Sequence, residues 1–169
     1  MTHSLKARLD SVFKDIETEA GRDGRLTVIA TAESVVPVLR FLKEAGHDYL
    51  QLVSCVDWID RGEIEIVYVL SSYLRTGGEA EDDPAEIVLK TRLPRSAPSL
   101  PTSIHVFPAA EPYEREMHEL YGVRFEGHPR LTPLFLEREY EIPPFRKDFD
   151  TRQYVKDLFG SVPPVGEKS

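Results

Sequence analysis

Leu5, Leu9, Val12, Phe13, Ile16 and Ala20 recur at steps of three and four, which predicts one amphipathic helix over residues 4–20. Gly21-Arg22-Asp23-Gly24 then reads as a turn, and Leu26, Val28 and Ala30 take every second position, as in a strand. A second helix is predicted from Ser34 to Ala45. Ser34 stands at its cap, Pro37 falls in the first turn where a missing N–H costs nothing, and Gly46 is the stop. Strands are predicted at Tyr49–Trp58, Glu63–Ser72 and Glu86–Leu93. In the middle one Ile64, Ile66, Tyr68 and Leu70 share a face, and Asp60-Arg61-Gly62 forms the hairpin turn before it.

Arg75–Pro84 is Gly-rich and acidic and is expected to be a mobile loop. Pro94–Pro101 carries several prolines and is expected to be irregular. Pro101-Thr102-Ser103 fits the start of either a short helix or a strand. Tyr113, Met117, Leu120 and Tyr121 form one apolar stripe, which predicts a helix over Pro112–Tyr121 with Gly122 as its stop. After Leu136 the regular pattern ends. Pro143-Pro144 and Pro163-Pro164 interrupt the rest, with a last helical turn around Thr151–Phe159. The order of elements predicts an α+β fold, a two-layer sandwich of a mixed β-sheet with helices. Residues 1–136 make that domain, and residues 137–169 are expected to be an extended docking tail.

A chain of 169 residues with 41% hydrophobic side chains suits a single core. Its net charge of -8, from 21 basic and 29 acidic residues, argues against sequence-independent binding to a nucleic-acid backbone. No apolar run approaches the roughly 18 residues of a spanning helix, and charges interrupt the N-terminus where a signal peptide would be apolar. The single Cys55 rules out an internal disulfide, points to a reducing compartment, and cannot by itself hold a cluster that takes four thiolates. Its plain reading is a small apolar residue in a buried strand.

His118-Glu119 invites a zinc-protease reading, but HExxH needs a second His where Gly122 stands. A metal set of Glu114, His118 and His128, or an enzyme using Glu114, Glu116 and His118, has little behind it beyond helical spacing that solvated helices often show. No phosphate loop, dinucleotide fingerprint or GxSxG elbow is present. Arg115 and Glu119, four apart, would pair on a helix surface for roughly 0.2–0.5 kcal/mol. Glu114-Arg115-Glu116, the apolar stripe, Gly127-His128-Pro129 and the proline-anchored Arg146-Lys147 together read as a surface built to lie against another protein.

These residues carry a resemblance. Glu114-Arg115-Glu116, Glu119, Gly122-Val123, Phe125 and Gly127-His128-Pro129, followed by Pro144-Phe145-Arg146-Lys147-Asp148-Phe149, resemble the signature of the 30 kDa subunit of respiratory complex I, the NADH–quinone oxidoreductase. Thr132 and Pro133 depart from it, standing where that family usually has an arginine pair. His118-Glu119 departs as well, and the run from Phe145 to Val155 looks more like the related subunit of energy-converting membrane-bound nickel–iron hydrogenases.

The resemblance implies a non-catalytic structural subunit in the hydrophilic arm of such a complex, peripheral on the cytoplasmic side of the membrane. It implies no cofactor on this chain. The implied partners are the large quinone-site or nickel–iron-type subunit and a small iron–sulfur subunit. The docking residues it implies are Glu114, Arg115, Glu116, Glu119, His128, Pro129, Arg146, Lys147, Asp148 and Phe149. The alternatives are the equivalent hydrogenase subunit and a stand-alone acidic binding module.

Overall fold

The computed structural model describes residues 4–21, 24–73, 84–136 and 140–160. The expected loop Arg75–Pro84, except for Pro84, and the Pro163-Pro164 break lie outside them.

The N-terminal expectation needs correction. Helix α1 covers only Leu5–Val12, and Ile16–Ala20 is a strand, β1, antiparallel to β2 at Arg25–Ala30. Ile16 and Ala20 satisfy a helical step of four, but with Thr18 they also fit a period of two. Asp15 supports the strand reading, because its carboxylate accepts hydrogen bonds from Thr31 and Ser34 and ties the chain to the start of the next helix. Those bonds hold the Asp15 carboxyl below the ordinary carboxylate range. Ser34 therefore spends its hydroxyl on Asp15 and makes no side-chain cap bond to α2, Val35–Glu44.

The remaining strands follow the alternation closely. They are β3 at Tyr49–Trp58, β4 at Glu63–Ser71 and β5 at Glu86–Pro94. Gly62, at a φ of 65°, closes the turn between β3 and β4 in the left-handed region that favours glycine. The five strands lie in the order β1-β2-β5-β4-β3, with β2 and β5 parallel and the other neighbours antiparallel. One face is apolar across the register: Val28 stands beside Leu89, Leu89 beside Tyr68, and Tyr68 beside Val53, all buried. Leu5 and Leu9 of α1 and Val35, Val38, Leu39 and Leu42 of α2 belong to the same core. The fold is the α+β sandwich read from the sequence.

The proline-rich stretch is more regular than expected. Ser99–Pro101 forms β6, parallel to β7 at Arg124–Glu126, and together they make a separate two-stranded sheet. Between them lies α3, Ala110–Tyr121, closed by Gly122 at a φ of 75°. Met117 and Leu120 of α3 are buried, as the stripe predicts. Helix α4, Thr151–Phe159, is capped by the Asp150 carboxylate, which accepts from the Arg152 and Gln153 amides.

Candidate functional site

Helix α3 and the residues around it hold nearly every side chain singled out in the sequence. Glu114 corrects the expectation that the charged triplet faces outward. It is fully buried, on the face of α3 shared by Ala110 and Met117. Its carboxylate accepts from the Thr102 hydroxyl at 2.5 Å and from the Ser103 amide and hydroxyl, each at 2.7 Å. These bonds replace the water that a buried carboxylate loses. The Tyr68 hydroxyl lies close by, and burial together with the Glu114 charge pushes its pKa well up.

Arg115 and Glu119 do not pair with each other. Both grip one backbone segment, from opposite sides of its polarity. The Arg115 guanidinium donates to the carbonyls of Thr132 and Pro133 at 3.0 and 2.9 Å. The Glu119 carboxylate accepts from the amides of Leu134, Phe135 and Leu136 at 2.8 to 3.2 Å. Arg115 also reaches the Glu111 carboxylate at 3.4 Å. Glu116 is half-buried, Pro129 is exposed, and His128 accepts the Arg130 amide on Nδ1. His128 Nε2 is buried and has no partner among the described residues. His118 bonds the Val123 carbonyl through Nδ1 at 2.9 Å. Glu114, His118 and His128 thus have separate local partners, and no group of three or more potential metal ligands stands together among the described residues.

The basic cluster after Pro143-Pro144 turns toward this chain's own domain. Arg146 Nε donates to the Tyr121 carbonyl at the C-terminus of α3, 2.8 Å away, where the helix dipole favours a cation. The Phe145 amide donates to the Leu120 carbonyl. The Lys147 amide donates to Asp57 Oδ2 at 2.8 Å, and its ammonium lies 5.9 Å from the centre of the Trp58 ring. Asp148 binds Arg95, which at the same time binds Asp57. Phe149 packs against Tyr140 and Tyr154, with ring centres 5.9 and 5.5 Å away. Residues 143–149 are therefore held on α3, β3 and Arg95 just after β5, where the sequence predicts an extended docking tail.

Asp57, Arg95, Thr102 and Ser103 escaped the sequence reading. Asp57 left a trace: it follows Val53 and Cys55 on the buried face of β3, and an acid in that position needs a cation. Hydrogen bonds from Arg95 hold the Asp57 carboxyl below its ordinary range, with help from the Lys147 amide and against the effect of burial. Burial and the Asp57 charge push the Cys55 thiol up to about 12. A buried thiol with its pKa raised in this way is a poor nucleophile at neutral pH. Clefts of about 180 Å³ beside His118 and about 270 Å³ beside Phe41 are smaller than small-molecule sites of roughly 300–1,000 Å³.

Residues 28–155 match the model of the family described as respiratory-chain NADH dehydrogenase, 30 Kd subunit. The chain belongs to that family. Relatives include a subunit of the F(420)H(2) dehydrogenase of Methanosarcina mazei, 36% identical over 146 residues that cover 84% of this chain and 87% of the relative. Another is a subunit of the NADH-quinone oxidoreductase of Moorella thermoacetica, 34% identical over 83% of this chain and 90% of its own. Among solved structures, a chain of the membrane-bound sulfane sulfur reductase, an archaeal respiratory membrane complex, superimposes with a TM-score of 0.80 and 30% identity. It covers 98% of this chain and 94% of its own. The trypsin-resistant fragment 1–134 of Nqo5 superimposes with a TM-score of 0.60 and 25% identity, covering 75% of this chain and 97% of its own. In this chain Glu114 and Arg115 of the Glu-Arg-Glu run and Arg146 and Asp148 of the Arg-Lys-Asp run bind its own backbone and side chains. No helix among the described residues is long and apolar enough to cross a membrane.

Proposed function

We propose that this chain is a non-catalytic scaffold subunit of a membrane-bound, complex I-type respiratory oxidoreductase. It sits peripherally on the cytoplasmic side and packs against the large quinone-site-type subunit and a small iron–sulfur subunit. One observation carries the reading: the side chains that mark the family spend their hydrogen bonds on fixing this chain's own surface. Glu114 fixes the start of the 102–106 turn, Arg115 and Glu119 fix 132–136, and Arg146 and Asp148 fix 143–149. Such a chain offers a rigid docking face and no reaction centre. Glu116, Pro129 and Lys147 keep part or all of their surface free for partners.

A second reading replaces NADH as electron donor with that of another complex of the same architecture. The sulfane sulfur reductase chain favours it, superimposing with a TM-score of 0.80 where the Nqo5 fragment reaches 0.60. The nickel–iron hydrogenase reading rests on the run from Phe145 to Val155.

The test is purification of the complex from native membranes through a tag on this chain, with identification of every co-purifying subunit. Recovery with a quinone-site-type subunit and an iron–sulfur subunit is expected, and a flavin- and NADH-binding subunit in the set would select the first reading. Recovery of the chain alone would refute both.

A further inference from the structure

Residues 143–149 lie over the ends of α3 and β3 without joining the core. None of the described side chains of residues 140–160 is buried, and among the described residues the core and the hydrophobics packed against it end at Leu131. The contacts that tie the segment down are polar. The Phe145 amide donates to the Leu120 carbonyl at 3.0 Å, Arg146 Nε to the Tyr121 carbonyl at 2.8 Å, and the Lys147 amide to Asp57 Oδ2 at 2.8 Å. Asp148 accepts two hydrogen bonds from Arg95. Phe145 adds a ring contact with Tyr121, yet stays 59% exposed. Phe149, Tyr140 and Tyr154 pack on one another, which joins the segment to α4. A polar anchor exchanges its protein partner for water at little net cost, whereas buried apolar area has no such substitute.

The anchors also separate without leaving a buried charge alone. Arg95 holds Asp57 through Nε and Nη2, at 2.7 and 3.0 Å, and neither bond involves residues 143–149. When Asp148 and the Lys147 amide leave, Asp57 therefore keeps its guanidinium, and the large penalty of an unpaired buried carboxylate does not arise. The Leu120 and Tyr121 carbonyls lie in the last turn of α3, where helix carbonyls lack intrahelical partners and water takes the place of a lost donor. Arg146 and Lys147 carry their charges into solvent. Pro143 and Pro144 fix two successive φ angles at the near end, so the piece beyond them moves stiffly.

We infer that residues 143–149 are a strap that opens as one unit from α3 and β3 while the sheet and its helices stay folded. The anchored arrangement is the resting state, and the open one bares the carbonyl end of α3 and one oxygen of Asp57. Amide hydrogen exchange of the whole chain, followed residue by residue by NMR, tests this. The Phe145 and Lys147 amides have acceptors on different elements, α3 and β3. They should nevertheless share one protection factor, at least about a hundredfold below that of Ile66 and Tyr68 in β4. Low urea should leave their exchange almost unchanged, because opening exposes little surface, and should speed exchange in β4. Asp148→Ala, at a side chain that is 40% exposed, should keep the native circular dichroism. It should speed the Phe145 and Lys147 amides by one common factor, about two- to fivefold, although it touches neither. Protection equal to that of β4 would overturn the inference, because the segment would then open only with the whole chain. Two different protection factors, or a response of one amide and not the other to Asp148→Ala, would overturn it too, because each anchor would then fray alone.

Discussion

Arg95 and Asp148 stand 53 positions apart and meet through two hydrogen bonds of 2.6 and 3.0 Å. The same guanidinium makes two more, of 2.7 and 3.0 Å, to Asp57 on β3. One arginine at the end of β5 therefore clasps the sheet to the C-terminal segment. The two halves of the clasp differ in environment: the Asp57 side chain is 2% exposed and that of Asp148 40%.

That difference sets the cost of breaking each half. Arg95→Ala should destabilise the free chain by roughly 3–5 kcal/mol, because it leaves Asp57 charged in a buried site. Asp148→Ala should cost about 1 kcal/mol or less, since its contact is screened by solvent. Urea unfolding of the two variants beside wild type checks this. Equal losses would place the stabilisation in the exposed half.

The clasp also predicts an acid limb in stability. Hydrogen bonds from Arg95 hold both the Asp57 and Asp148 carboxyls below their ordinary value of 3.8. Their contribution is complete well above pH 3.8 and is lost as pH falls below it through the lowered folded values. Unfolding free energy measured from pH 6 downward should therefore drop more steeply for wild type than for Arg95→Ala. Parallel curves would exclude the clasp as the cause.

Glu114 should behave as a core residue. Glu114→Ala strips partners from the Thr102 and Ser103 donors and opens a cavity, a loss of roughly 3–5 kcal/mol. Glu114→Gln keeps the volume and one acceptor for the two Ser103 donors but replaces the charged oxygen that accepts from Thr102 with an NH2, at roughly 1–3 kcal/mol. Chemical unfolding of the free chain measures both. A change near zero in each would mean the side chain faces water or a partner.

Gly122 should tolerate substitution less well than Gly46. Both have a positive φ, 75° and 98°, where any other residue is strained by roughly 1–2 kcal/mol. At Gly46 an added Cβ meets open space, whereas at Gly122 it would stand 3.0 Å from Pro143 Cγ and 3.2 Å from Arg146 Nη2. Gly122→Ala should thus lose about 1 kcal/mol more than Gly46→Ala and speed trypsin cleavage at Arg146, with digestion of the two variants as the comparison. Identical digestion rates would separate Gly122 from the seating of residues 143–146.

What the sequence revealed and what it hid divide along the range of the interactions. Strands β3 to β5 were readable because Ile64, Ile66, Tyr68 and Leu70 announce a period of two without help from elsewhere. Residues 16–20 were not, because Ile16 and Ala20 satisfy both periods and only the pairing with β2 decides between them. Glu114 was placed on the surface because its type is rarely buried; the donors that admit it come from residues 102 and 103, on another element. The Arg-Lys-Asp run was recognisable as a motif, but its role depends on Asp57, as many as 90 positions away. The family resemblance named these residues and could not say which way their side chains turn.

The central claim is that this chain is a scaffold bound within a larger redox complex. The most direct measurement is subunit and metal analysis of tagged chain drawn from native membranes, before and after stripping to the free subunit. The account predicts a multi-subunit assembly containing iron–sulfur proteins, from which the stripped chain emerges folded, colourless and without stoichiometric metal. A chain that comes out of the membrane fraction alone, or one that keeps a visible chromophore or a bound metal after stripping, would contradict it.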